Sequence, residues 1–424
     1  MKSVKLIAII AVVIIVVAGI GVVFMLNDNN KYRSDDDTGR LMIFGNADNN
    51  DYLDNEDIST LEKIIAGEMD ETPLSDANQD GVVDQKDIDW VRKMVNREPM
   101  EIYYQYIFDG NKITKSVKYP VGNIVAVGTN VTVTIKALGG VKNVVAMHGG
   151  DMDLTLFSDM VGIPKVSSSI LDANLEEVSK YTVDAIVTQD SASYLKNESL
   201  FAAAGIGVIR VSASDGLESL TGILTLGYLM DLEERANSYV QFCDEILDRV
   251  ISSVGKDAMK DSDRVTALSV TMTNYLGGLP SDYYAATQLA GARNLADWDT
   301  TTKRFNIGDE WLFEPKYDAD FIIHSRGIGY GGVDIGNVWS TYSMYFTEMR
   351  AYSEGNYIIL NGNMPVSLRL AYMATIFYPD IFGADWADGL HQKYIDDYMD
   401  NLSEKGYDVK IDGVFVIWKS MIDP

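Results

Sequence analysis

The chain has 424 residues, 47% of them hydrophobic and 10% aromatic, which suits two or three domains with substantial cores and excludes a disordered chain. It carries 35 Lys and Arg against 62 Asp and Glu, a formal net charge of -27, which repels phosphate backbones and excludes nucleic acid as a partner. Its single cysteine, Cys243, excludes an intrachain disulfide, a cysteine-ligated cluster and a lipidated cysteine near the N-terminus.

Lys2 and Lys5 precede an apolar run from Leu6 to Leu26. At about 1.5 Å per residue the run spans about 31 Å, the thickness of a bilayer core. Residues 1–26 are therefore expected to be a single-pass transmembrane anchor, the alternative being a long cleaved signal peptide. The two lysines favour a cytoplasmic N-terminus, which puts the bulk of the chain outside the cell membrane. Residues 27–43 read as a polar linker.

Two acidic loops follow. In the second, Asp76, Asn78, Asp80, Asp84 and Asp87 stand at loop positions one, three, five, nine and twelve, with Gly81 at position six. Alternate oxygen side chains around a glycine turn are the spacing that gathers ligands on one Ca2+ ion. The same pattern occurs earlier as Asn46, Asp48, Asn50, Asp54 and Asp57, with Asp51 in the glycine position. Ile58, Leu61, Ile64 and Ile65 after the first loop, and Ile88, Trp90, Val91 and Met94 after the second, predict amphipathic helices. This duplicated loop–helix unit over residues 44–97 resembles a dockerin domain. The resemblance implies calcium in the loops and a cohesin-like partner selected at Asn55-Glu56 and Gln85-Lys86, where this chain lacks the usual hydroxyl residues. The alternative is that calcium only stiffens the unit.

From Asn123 short apolar runs alternate with helical stretches. Strands are expected at 124–128, 144–147, 165–166, 183–188 and 208–211, then a long helix over 216–254. Further strands are expected at 265–270, 321–324 and 357–360, with helices at 367–376 and 391–402. Alternation of this kind predicts parallel sheets with ligand-facing loops at the strands' carboxyl ends.

The order of short blocks from Asn123–Gly128 through Gly162–Val166, Asn174–Val178, Val183–Val187, Ala204–Ile209 and Leu224–Leu229 to Ala319–Ile323 and Gly413–Val416 resembles the iron-siderophore, haem and cobalamin class of solute-binding proteins of ABC importers. The resemblance covers residues 107–424. It implies an α/β fold of two Rossmann-like lobes, at 98–215 and 255–424, joined by a long backbone helix at 216–254. The small all-α dockerin-like domain and the N-terminal transmembrane helix precede them. It also implies a metal chelate in the inter-lobe cleft and an ABC permease docked through one acid per lobe. Glu310 stands at the second-lobe position and Val133 replaces the first-lobe acid.

Strand ends nominate Thr129, Asn130, His148, Gln189, Asp190, Thr273, Tyr275, His324 and Arg326 as ligand contacts. The aromatics Tyr283, Tyr284, Trp298, Tyr330, Trp339, Tyr342 and Tyr345 would suit a planar chelate. No nucleophile elbow or zinc-protease helix is present, and one cysteine with three histidines cannot build a redox cluster, so no enzyme is expected. The competing reading is a calcium-dependent surface assembly or adhesion protein working through the dockerin-like unit. Sequons occur at Asn130, Asn197 and Asn401.

Overall fold

The computed structural model describes residues 40–108, 111–150, 153–213, 219–255, 258–278, 281–297, 304–306 and 314–422. They form two compact units: one spans 40–242 apart from 153–158, and the other joins 153–158 to 243–422.

The first unit opens with two loop–helix repeats. Helices α1 (Asn55–Ile65) and α2 (Gln85–Val95) start on Asp54 and Asp84, whose side chains accept from the N–H groups of Glu56 and Lys86. Asp57 and Asp87 return a bond to the capping residue's own N–H, closing a capping box at each helix. Leu61 and Ile64 of one helix and Ile88, Val91 and Met94 of the other are buried where the two pack together. A hairpin of β1 (Met100–Phe108) and β2 (Asn111–Tyr119) follows. The segment before the first loop bonds to it, Phe44 N–H to Tyr103 O and Gln105 N–H to Met42 O, both 2.9 Å.

The lobe proper then runs β3 (Ile124–Val127), α3 (Thr129–Ala137), β4 (Val144–Met147), the single turn α4 (Leu175–Val178), β5 (Ala185–Gln189), α5 (Glu198–Ala203) and β6 (Gly207–Val211). The strands form a parallel sheet in the order β4-β3-β5-β6. Strands β3 and β5 are buried throughout, which is why neither alternates: β3 is wholly apolar and β5 is apolar up to Thr188 and Gln189 at its carboxyl end. Lys165 adds only a single bridge to Met147 where a strand was expected. Helix α6 (Ser219–Leu229) is buried nearly all round, and α7 (Glu233–Val254) begins here, its residues from Cys243 onward belonging to the second unit.

The second unit contains β7 (Thr266–Thr271), β8 (Tyr275–Gly277), α8 (Asp282–Leu289), β9 (Arg293–Asn294), β10 (Arg304–Asn306), β11 (Phe321–Arg326), α9 (Ile335–Ser343), β12 (Tyr357–Asn361), α10 (Val366–Phe377), α11 (Trp386–Tyr398) and β13 (Val416–Trp418). Its sheet has the order β10-β8-β7-β11-β12-β13, with β9 beside β7. Strands β7, β11 and β12 are parallel, and β8, β10 and β13 pair antiparallel at its margins.

Several expectations are corrected. The helix over 216–254 is two helices. Helix α6 ends where Asp231 turns left-handed at φ 59°, with Leu232 N–H bonded to Gly227 O at 2.8 Å and Asp231 N–H to Tyr228 O at 3.2 Å. Apolar spacing runs straight through this stop, so periodicity alone does not reveal it. The hairpin β1–β2 was not anticipated, because only Ile102 and Tyr104 of β1 are buried. Residues 44–97 fall in the same compact unit as the first lobe. The expected anchor (1–26) and Glu310 lie outside the described residues. Among the described residues, no helix is long and apolar enough to cross a membrane.

Candidate functional site: strand-end groups and acidic loops

At the carboxyl end of β3, Gly128 (φ 110°) turns the chain into α3 with the Tyr194 ring against it, where a Cβ would come within 2.9 Å. His148 follows β4 and is fully buried. Its Nδ1 lies 2.7 Å from the Gly149 carbonyl, an acceptor only, so Nδ1 carries the proton and Nε2 keeps a lone pair. That Nε2 has no hydrogen-bond partner among the described residues. Burial lowers the His148 pKa and keeps the ring neutral. The turn that holds it is closely packed, since a Cβ on Gly149 would sit 1.9 Å from the Ser167 carbonyl oxygen. Gln189 ends β5, is 6% exposed, and also has a buried Nε2 without a partner. Its neighbour Thr188 is in register with Val127 on β3, and its buried Oγ1 is unpartnered too. Thr188 was missed in the sequence because a threonine inside an apolar strand reads as a strand former. Asn130 and Asp190 are partly exposed beside this set.

The second lobe treats its candidates differently. His324 on β11 is enclosed by Tyr342, Phe346 and Tyr357. Its Nε2–H donates to the Met272 carbonyl at 2.5 Å, and its Nδ1 lies 2.7 Å from the Tyr357 hydroxyl. Burial pulls its pKa down to about 4. Both nitrogens are therefore engaged inside the lobe, and the expected ligand role gives way to a core role. Tyr330 is 1% exposed, its N–H bonded to Asp153 and its hydroxyl 3.3 Å from His391 Nε2. Trp339 packs in the hydrophobic core with Tyr352 and Tyr357. Neither ring reaches solvent, so both are corrected from ligand contacts to packing residues. Arg326 retains capacity. It ends β11, lies over the Tyr342 ring at 4.4 Å, donates from Nη2 to the Tyr342 hydroxyl at 2.9 Å, and has a buried Nε without a partner. Tyr275 is partly exposed at the start of β8, and Trp298 lies outside the described residues. Asn401 is buried with its amide donating to the Leu156 carbonyl at 3.1 Å, which excludes glycosylation there.

In the second acidic loop Asp76 accepts from the N–H groups of Asp80 and Gly81, and Asp87 from those of Asn78 and Asp84. Lys86 Nζ lies 2.9 Å from Asp80 and 3.4 Å from Asp84. In the first loop Asn46 donates its amide to the carbonyls of Leu41 and Asn50, and Asn50 donates to Asp48. Asp51 pairs with Arg40. Burial, reinforced by the Asp48 carboxylate, pushes Asp57 up to about 7. Among the described residues no three His, Cys, Asp or Glu side chains converge on one point. The donor set of the second loop, carboxylates with one amide oxygen, fits a hard cation once Lys86 swings aside. The first loop fits less well, because two amide N–H donors face inward.

No protein-family model matches the sequence, and no curated protein matches it. Solved structures do. The TroA-like periplasmic binding protein FepB from Veillonella parvula superposes with a TM-score of 0.57 at 18% identity, covering 72% of this chain and 97% of that one. The fold is that of TroA-like periplasmic binding proteins. Helicobacter pylori CeuE in a nickel–histidine complex gives 0.53 at 15% identity, covering 72% of this chain and 99% of that one. Haemophilus influenzae MolA bound to molybdate gives 0.52 at 14% identity, covering 68% and 95%.

Proposed function

We propose that this chain is an extracytoplasmic solute-binding protein that captures a metal chelate, a siderophore, haem or corrinoid, for an ABC importer. The observation that carries the reading is the set of buried, unpartnered polar atoms at the carboxyl ends of the first-lobe strands, His148 Nε2, Thr188 Oγ1 and Gln189 Nε2. Buried polar groups are normally paired, so unpartnered atoms at the carboxyl ends of two strands of one parallel sheet support a reading in which they are kept for a ligand. Arg326 on Tyr342 supplies a cation and an aromatic face of the kind an anionic, planar chelate needs. The fold of the periplasmic neighbours supports the reading. The apolar run Leu6 to Leu26 would hold such a chain at the membrane. Titration with haem, ferric siderophores and cobalamin, read by tryptophan fluorescence, is expected to show saturable quenching with one of them. No response to any of the three would overturn it.

We also propose that the second acidic loop takes Ca2+, with Asp76, Asn78, Asp80, Asp84 and Asp87 as ligands. Its oxygen-only donor set and the glycine turn at Gly81 (φ 90°) support this. Calorimetric titration of the full chain with Ca2+ is expected to show one site, and a flat thermogram would sink it.

A further inference from the structure

We infer that the two-loop unit is an internal brace for the first lobe, and that its second repeat clamps the corner between α6 and α7. The two repeats end in the same turn. After α1, Gly67 is left-handed (φ 72°), with Gly67 N–H bonded to Ile64 O at 3.0 Å and Glu68 N–H to Lys63 O at 2.9 Å. After α2, Arg97 takes that place (φ 58°), with Arg97 N–H bonded to Met94 O at 3.1 Å and Glu98 N–H to Lys93 O at 3.0 Å. Glycine adopts this conformation freely and a side chain does so only under strain. A strained arginine where the sister repeat has glycine is held by what its side chain does.

The Arg97 guanidinium lies 4.6 Å above the Tyr228 ring and forms an ion pair with Glu233, the first residue of α7. Tyr228, on the last turn of α6, donates its hydroxyl to the Met94 carbonyl at 3.3 Å. One residue therefore grips both helices that meet at the corner. The hairpin completes the grip. Tyr119 stacks on Tyr228 at 5.8 Å and donates to Asp231 Oδ1 at 3.1 Å, and Val121 N–H bonds to Leu229 O at 2.9 Å. Asp231 is itself left-handed, and Gly227 packs so closely on Ala236 that a Cβ would fall within 2.4 Å. The corner is thus a tight stop with a left-handed residue at its centre, closed by its own backbone bonds and gripped from outside by α2 and the hairpin. It is also where the helix carrying the chain into the second unit begins.

The decisive test is Arg97→Gly in the full chain, read by hydrogen–deuterium exchange over 226–236 and by the thermal midpoint. A plain helix stop would gain from glycine, so exchange at the corner would be unchanged and the midpoint would rise. The brace predicts the reverse, a lower midpoint and exchange at the corner faster by at least about fivefold. Should that variant fail to fold, Glu233→Gln and Tyr228→Phe each remove one arm of the clamp, and faster exchange over the same peptide is expected from both. Unchanged exchange at the corner in both would overturn the inference. The readout involves neither solute nor cation, so it stands independently of the function proposed above.

Discussion

In the first loop–helix repeat the amides of Asn46 and Asn50 point inward and hold the loop shut, whereas the second presents Asp76 and Asp80 at the same places. In the first, Arg40 neutralises Asp51 from outside, and in the second Gly81 occupies that position and Lys86 leans over the carboxylates. The helices that follow are capped identically. Both loops are closed by backbone N–H groups, but the first also spends side-chain amides on its own acceptors, while the second leaves its carboxylates facing a lysine.

The largest effect is expected from cutting the shared capping box. Asp57→Ala and Asp87→Ala each leave two backbone N–H groups unpaired, and each should destabilise the chain by about 2 kcal/mol in denaturant melts. Only Asp87→Ala should also abolish terbium luminescence sensitised at the second loop; equal loss from both would mean that both loops hold a cation.

Converting the first loop to the second's chemistry sharpens the contrast. Asn46→Asp with Asp51→Gly should raise the terbium stoichiometry from one to two, at a stability cost of about 1 kcal/mol for the lost amide bond to Leu41. A stoichiometry that stays at one would place the difference elsewhere in the loop.

At the helix ends, Gly67→Ala should cost about 1 kcal/mol, purely from the left-handed backbone, since nothing lies within 4 Å of the added Cβ. A thermal melt with no shift would show that this turn rearranges freely. The smallest effect belongs to Lys86→Met, which removes an exposed competitor from Asp80 and Asp84. It should tighten Ca2+ binding a few-fold in calorimetry; weaker binding would mean that the lysine helps to form the loop.

Much of the lobe architecture was legible in the sequence because a buried parallel strand is written locally. Ile124–Val127, Ala185–Gln189 and Tyr357–Asn361 are short, wholly buried segments that announce themselves. The hairpin was not legible, because its outer residues are polar or aromatic and only its packing on Val208, Arg210 and Tyr228 gives it a place. Among the candidate contacts, residue type nominated His148 and His324 equally. Their surroundings separated them, since one is left with a free lone pair and the other is bonded on both sides.

Legible from the sequence were the buried parallel strands at the centre of each lobe and the duplication of the acidic loops, which are properties of neighbours along the chain. Only the tertiary structure decided that the long helix breaks at Asp231, that Tyr330 and Trp339 face inward, and that Arg97 replaces a glycine to hold Tyr228 and Glu233. Those depend on which buried groups find partners far away in sequence, and local periodicity carries no record of them.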